Sequence, residues 1–278
     1  ADNGGSAVQN SGIMTIENVT LNGAPNADGS WPAYTVNNTG KLTIDNSTIT
    51  SWHGAVASYG DNAEVVMNNS NIDMSGIQGF TSHGIYTYNN GKVYVNGGNI
   101  ENKATDQASS GASAINGAVT VTAGTIKGRI ENYYGTPVLK GGTYSVKPNA
   151  NFIAAGYVAV NNSDNTYSVV KGSVAANAAE FIAAVNNIED GDVIALTSDV
   201  DFTTDNRTHN SGNYYDGLYY IGDKDFTIDL GGKTIGNANG AVNDYLLNFK
   251  NDGTKANTIT IKNGTIDAGT AAFCAICT

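Results

Sequence analysis

The sequence predicts an all-β fold, a right-handed parallel β-helix (solenoid) with one short capping helix and a terminal β-hairpin. Three observations predict it. Apolar residues recur two apart in short runs, the runs repeat in a common frame, and Gly, Asn and Thr punctuate them. The composition agrees. Hydrophobic residues make up 40%, enough for a core, while 34 Gly and only 4 Pro suit many short strands joined by tight turns.

The repeat is an apolar residue, a second apolar residue two positions on (the anchor), then Asn or Gly, then Thr or Asn and another apolar residue. The anchors are Ile16, Ile44, Met67, Val95, Val121, Leu139, Leu230 and Ile261. Five positions after them stand Leu21, Ile49, Ile72, Ile100, Ile126, Tyr144, Ile235 and Ile266. Apolar residues two apart share one face of a strand. Asn and Gly tolerate left-handed backbone and so permit a bend, after which the next apolar residue points inward again. One such unit cannot bury its own apolar face, but a stack can.

Anchor spacings are 28, 23, 28, 26 and 18, then 91, then 31. The unequal spacing sets aside helical repeats of fixed period, and sparse leucine sets aside leucine-rich repeats. The aligned Asn and Thr residues admit two readings: hydrogen-bonded ladders between repeats, or ordinary turn chemistry.

Residues 141–170 break the pattern and read as a β-hairpin that covers the end of the stack, with Asn161-Asn162-Ser163-Asp164-Asn165 as its turn. Residues 173–188 read as a helix capped by Ser173, with Val174, Ala178, Phe181, Ile182, Val185 and Ile188 at helical spacing. Val193–Leu196 reads as a strand. Two segments follow: 1–170, repeats ending in the hairpin, and 171–278, the helix and the first repeats of a second stack.

Phe226-Thr227-Ile228-Asp229-Leu230-Gly231-Gly232-Lys233-Thr234-Ile235, together with Gly156-Tyr157-Val158-Ala159-Val160 and Asn165-Thr166-Tyr167, resembles the large β-helix surface proteins displayed by gut Gram-positive bacteria. The resemblance implies a secreted, adhesin-like protein at the bacterial cell surface. In that family the helix usually comes first and the hairpin last. Here the order is inverted. Counted through the two termini, Ile261 and Ile16 are 33 residues apart, close to the preceding 31. This spacing raises the expectation that copies stack end to end in a filament or follow one another in a tandem array.

The net charge of −11 argues against nucleic acid and against anionic membranes. No run approaches the roughly 18–20 apolar residues of a membrane span. Without a charged-then-apolar leader the sequence reads as a mature chain or a fragment.

Candidate chemistry is sparse. Tyr214, Tyr215, Tyr219 and Tyr220 form the densest aromatic segment and are candidate sugar-stacking residues, or alternately pack against the cap. Asp199, Asp201 and Asp205 form the best acidic group for Ca²⁺, though a hard cation needs about six to eight oxygens. Cys274 and Cys277 read as buried small hydrophobes or a local disulfide. His53, His83 and His209 show no metal-ligand spacing, and His83 reads as a loop residue. Lys127, Arg129 and Glu131 read as a solvated strand face. Trp31 and Trp52 read as inter-repeat loop residues. No catalytic constellation stands out. The expectation is a structural or adhesive surface protein, with no required cofactor, that associates with itself or with glycans. The alternatives are a carbohydrate-binding or polysaccharide-degrading protein, or a phage tail fibre.

Overall fold

The computed structural model describes residues 6–23, 34–74, 82–106, 111–202, 207–210, 213–237, 245–269 and 274–278. The chain is mostly β, its sheets are mostly parallel, and its α-helix is Ala178–Asn186. It forms two units. One comprises Ala1–Ala155 with Asn161–Val169, the other Gly156–Val160 with Val170–Thr278.

In the first unit the apolar repeat becomes columns of side chains. Ile16, Ile44, Met67, Val95, Val121 and Leu139 stand in register across parallel strands. Met14, Leu42, Val65, Val93 and Val119 form a second column beside them. Leu21, Ile49, Ile72, Ile100, Ile126 and Tyr144 form a third. A separate sheet adds Val8, Val36, Val56, Ile85, Ile115 and Ile130. The inner members are fully buried. Burying each such side chain is worth about 1.5–3 kcal/mol, and this burial drives the strands together.

The bends follow from backbone chemistry. Asn18, Asn46 and Asn69 have φ of 56°, 46° and 46°, the left-handed region that Asn tolerates. These aligned Asn residues therefore serve the turns. The side-chain ladders are built by their neighbours and, at the aligned position two residues on, by Asn71, whose Oδ1 accepts from Asn99 N–H at 2.9 Å. Asn68 donates to Asp45 at 2.6 Å, Asn96 to Asn68 at 3.0 Å and Thr122 to Asn96 at 2.8 Å along the exterior. Inside the bends, Ser70 Oγ accepts from Ser47 N–H at 3.1 Å and donates to the Ile44 carbonyl at 3.0 Å.

Within residues 141–170 the chain turns back antiparallel in the first unit. Thr143 and Tyr144 pair antiparallel with Ser168 and Tyr167. The turn closes where Asn162 N–H donates to the Thr166 carbonyl at 2.8 Å, with Asn165 at φ 66°.

In the second unit the helix is shorter than the 173–188 expected. Ser173 lies on strand Tyr167–Ala175 and pairs with Ile194. The N-cap is Asn177, whose side chain accepts from Glu180 N–H at 2.9 Å, while Glu180 Oε2 accepts from Ala176 N–H at 2.9 Å. The Asn177 cap, backed by a Glu180 carboxylate that holds the N–H of the residue before the cap, outcompetes the lone serine. Phe181 and Val185 from the helix pack with Ile194, Phe202, Leu218 and Leu246.

One expected register is corrected. Ile261 pairs with Ile228, and Ile259 with Phe226, so Leu230 is not in the anchor column. Ile235 still pairs with Ile266. Two extra residues therefore sit in the bend after Ile228. Gly231 and Gly232, at φ 55° and 81°, absorb them, and Leu230 folds into the core.

Candidate functional site: an aromatic shelf on the first unit

Strands Gly54–Tyr59 and His83–Tyr88 run parallel, with Gly54 beside His83, Ala57 beside Tyr86 and Tyr59 beside Tyr88. Strand alternation turns Val56, Ile85 and Thr87 into the interior. The same alternation turns Tyr59, Tyr86 and Tyr88 outward. The result is a surface of rings drawn from distant points in the chain.

Tyr86 is the hub. Its ring lies nearly parallel to those of His83, Tyr34 and Tyr88, at centroid distances of 5.4, 5.6 and 6.4 Å. Tyr134 meets Tyr86 and Tyr88 edge-on at 5.3 and 5.0 Å. Tyr59 meets the same two rings edge-on at 6.0 and 6.4 Å. Offset and edge-to-face pairs of this kind each add about 0.5–1.5 kcal/mol beyond area burial, so the rings hold one another in place.

Backbone features set the positions of the outer members. Tyr34 lies over Gly54, where a Cβ would overlap its ring. Tyr133 N–H donates to Asn116 Oδ1 at 3.1 Å, and Asn116 stands in register between Tyr86 and Glu131. Tyr133, Tyr134 and Tyr88 remain 79%, 47% and 39% exposed. At the end of the two strands, Asn90 donates to Asp61 Oδ1 at 2.7 Å, placing an amide–carboxylate pair in the turns that follow Tyr59 and Tyr88.

His83 and the Tyr34, Tyr59 and Tyr86 phenols are uncharged at neutral pH. Burial, reinforced by His53, pushes His83 down to about 4. Its Nδ1 lies 2.8 Å from Ser113 Oγ. Burial holds the Tyr34, Tyr59 and Tyr86 phenols well above their ordinary range. Neighbouring phenols add to the effect at Tyr34, and a hydrogen bond with Tyr134 adds to it at Tyr86. The surface thus combines apolar ring faces with neutral hydroxyl groups and a polar rim.

Of the residues singled out from the sequence, His83 belongs to this surface, and it opens strand His83–Tyr88 in place of the expected loop; the tyrosine, aspartate and cysteine candidates lie elsewhere. Tyr220 is buried in the second unit, edge-on to Phe226 at 5.4 Å and Phe249 at 6.4 Å, so it serves the core and not a sugar. Tyr219 is half-buried, with the Lys250 ammonium 5.5 Å from its ring centre. Tyr214 and Tyr215 belong to strand Asn213–Asp216, whose side chains lie outside the described residues. The four tyrosines therefore do not form one exposed row, because Tyr219 and Tyr220 alternate across the strand.

Asp199 Oδ1 accepts from Thr234 N–H at 2.9 Å, Asp201 lies on strand Val200–Asp201, and Asp205 falls outside the described residues. Among the described residues no three His, Cys, Asp or Glu side chains are grouped to hold a metal. Cys274 and Cys277 are both free thiols, half-buried on one strand. Three residues along a strand span about 10 Å and face opposite sides, whereas a disulfide needs Cα atoms within about 7 Å. The local disulfide is therefore corrected. Lys127 pairs with Glu101 at 3.3 Å, and Arg129 Nε donates to the Ala112 carbonyl at 3.2 Å. Trp52 is exposed, and Trp31 lies outside the described residues.

Sequence reasoning misses the shelf because its members look unrelated along the chain. A signal is nonetheless present. His53 and His83 are 30 apart, and Tyr59 and Tyr88 are 29 apart, each about one repeat. The structure sets Tyr88 opposite Tyr59, one residue off the 28 between the anchors Met67 and Val95, and sets His83 opposite Gly54 and not His53, so the anchor alignment alone does not superpose them.

Comparison of the chain with protein-family models, curated proteins and solved structures gives no match.

Proposed function

We propose that the chain is an extracellular adhesive protein of the bacterial surface. In this reading its parallel sheets wind as a right-handed β-helix and serve to present a binding surface. The observation that carries it is the aromatic shelf. A row of outward rings on a stack whose opposite strand faces are fully committed to the core is a recognition surface mounted on a rigid support. Low charge density and a net charge of −11 suit an exposed, soluble surface outside the cell.

The test is adhesion. Beads coated with the 278-residue chain are flowed over mucin-coated and albumin-coated glass. Retention on mucin alone supports the reading. Equal retention on both, or release of shortened polysaccharide products by the chain, contradicts it.

A further inference from the structure

We infer that the shelf formed by Tyr59, Tyr86, Tyr88 and Tyr134 binds a neutral, β-linked hexopyranose chain. The inference deepens the adhesive reading and rests on it for the biological role, but the binding stands or falls separately.

Three features select a carbohydrate over a protein partner. First, the ring contacts of the shelf join tyrosines and histidines, so each ring carries a hydroxyl or a ring nitrogen beside its apolar face. A protein hot spot would mix such rings with aliphatic pockets and Arg. A β-linked hexopyranose has the matching character: axial C–H groups give an apolar face, and equatorial hydroxyls ring its edge. Second, the rings extend along and across two strands. Tyr86 and Tyr88 are 6.4 Å apart on one strand, and Tyr59 stands beside Tyr88 on the next. That arrangement offers consecutive contacts to an extended chain. Third, the Asp61–Asn90 pair lies in the turns after Tyr59 and Tyr88. It supplies acceptors and donors for hydroxyls at the place where a sugar leaving the rings would meet the rim.

The absence of ring charge favours neutral sugars. Glu131, in register with Asn116 and Tyr86, belongs to the same sheet and disfavours sulfated or uronate chains. Recognition by ring faces alone tolerates several sugars, so the expected binding is weak per site and gains strength from many copies on one surface.

The experiment is isothermal titration of the intact chain with cellohexaose, with chondroitin sulfate as the charged contrast. The expected result is saturable binding of cellohexaose and none of chondroitin sulfate. Tyr134→Ala removes a shelf ring that is 47% exposed, so it keeps the fold, and Tyr88→Ala removes a second, 39% exposed. Each is expected to weaken binding roughly three- to tenfold. Tyr219→Ala, on the second unit, is expected to change nothing. Circular dichroism at each variant's working temperature confirms the fold. No binding of cellohexaose by the folded chain overturns the inference. So does unchanged affinity in a folded Tyr88→Ala/Tyr134→Ala double variant. If mucin adhesion survives in that double variant, the shelf is wrong and the adhesive reading stands. If adhesion is absent from the parent chain while cellohexaose binds, the shelf is right and the adhesive reading fails.

Discussion

The ring of Tyr34 occupies the space that a side chain at position 54 would need. Gly54 sits beside His83 in the parallel sheet, so the absence of a Cβ there lets a tyrosine from the preceding repeat reach Tyr86, 5.6 Å away. A single glycine thus connects the packing of the sheet to the layout of the shelf. Gly54→Ala is expected to expel the Tyr34 ring. Near-ultraviolet circular dichroism should lose intensity while the far-ultraviolet spectrum is retained, and the melting temperature should fall by an amount equivalent to about 1–2 kcal/mol.

His83 makes stability depend on pH in a defined window. Its folded value of about 4 lies below the ordinary value of 6.5, so the folded state prefers the neutral ring. The unfolded chain takes up the proton first as pH falls. The stabilisation is therefore complete above pH 6.5 and is lost as pH drops towards 4, by at most about 3 kcal/mol. His83→Gln should flatten the fall in melting temperature between about pH 6.5 and 4.5. An equal fall in both proteins would refute the assignment. Asp164, Asp190 and Asp252, whose hydrogen bonds hold them below the ordinary carboxylate value, titrate below this window and do not confuse it.

Position within a column decides the cost of truncation. Ile44 is fully buried between Ile16 and Met67, whereas Met14, at the edge, is 38% exposed. Ile44→Ala is expected to cost about 2–5 kcal/mol, and Met14→Ala about 1 kcal/mol or less. Chemical denaturation of both variants measures the contrast.

The helix boundary gives a further test. Asn177→Ala removes a cap and should cost about 1 kcal/mol. Ser173→Ala, on a strand, should cost less than half of that. Comparable losses, read from thermal melts, would return the cap to Ser173.

The apolar columns are legible in the sequence because burial selects for side-chain class at fixed strand parity, and seven of the eight expected anchors repeat it. Leu230 mimics an anchor because glycines can absorb two extra residues without changing the pattern on either side. Ser173 mimics a cap because a short strand and a helix start carry similar local signals, and the Asn177 side chain on Glu180 N–H decides between them. The shelf is illegible for a different reason. Outward positions are under no packing constraint that repeats from one strand to the next, so Tyr34, Tyr59, Tyr86 and Tyr134 share no motif until register brings them together. The tyrosine-rich run at 213–220 stands out through local density, but alternation sends Tyr220 into the core.

The shelf, and not the denser tyrosine segment, is the proposed binding surface. The most direct measurement is nuclear magnetic resonance of the chain with ring-labelled tyrosine during titration with cellohexaose. Shifts are expected at Tyr59, Tyr86, Tyr88 and Tyr134, with Tyr144 and Tyr220 unmoved. Shifts confined to Tyr214, Tyr215 and Tyr219, or none at any tyrosine, would contradict it.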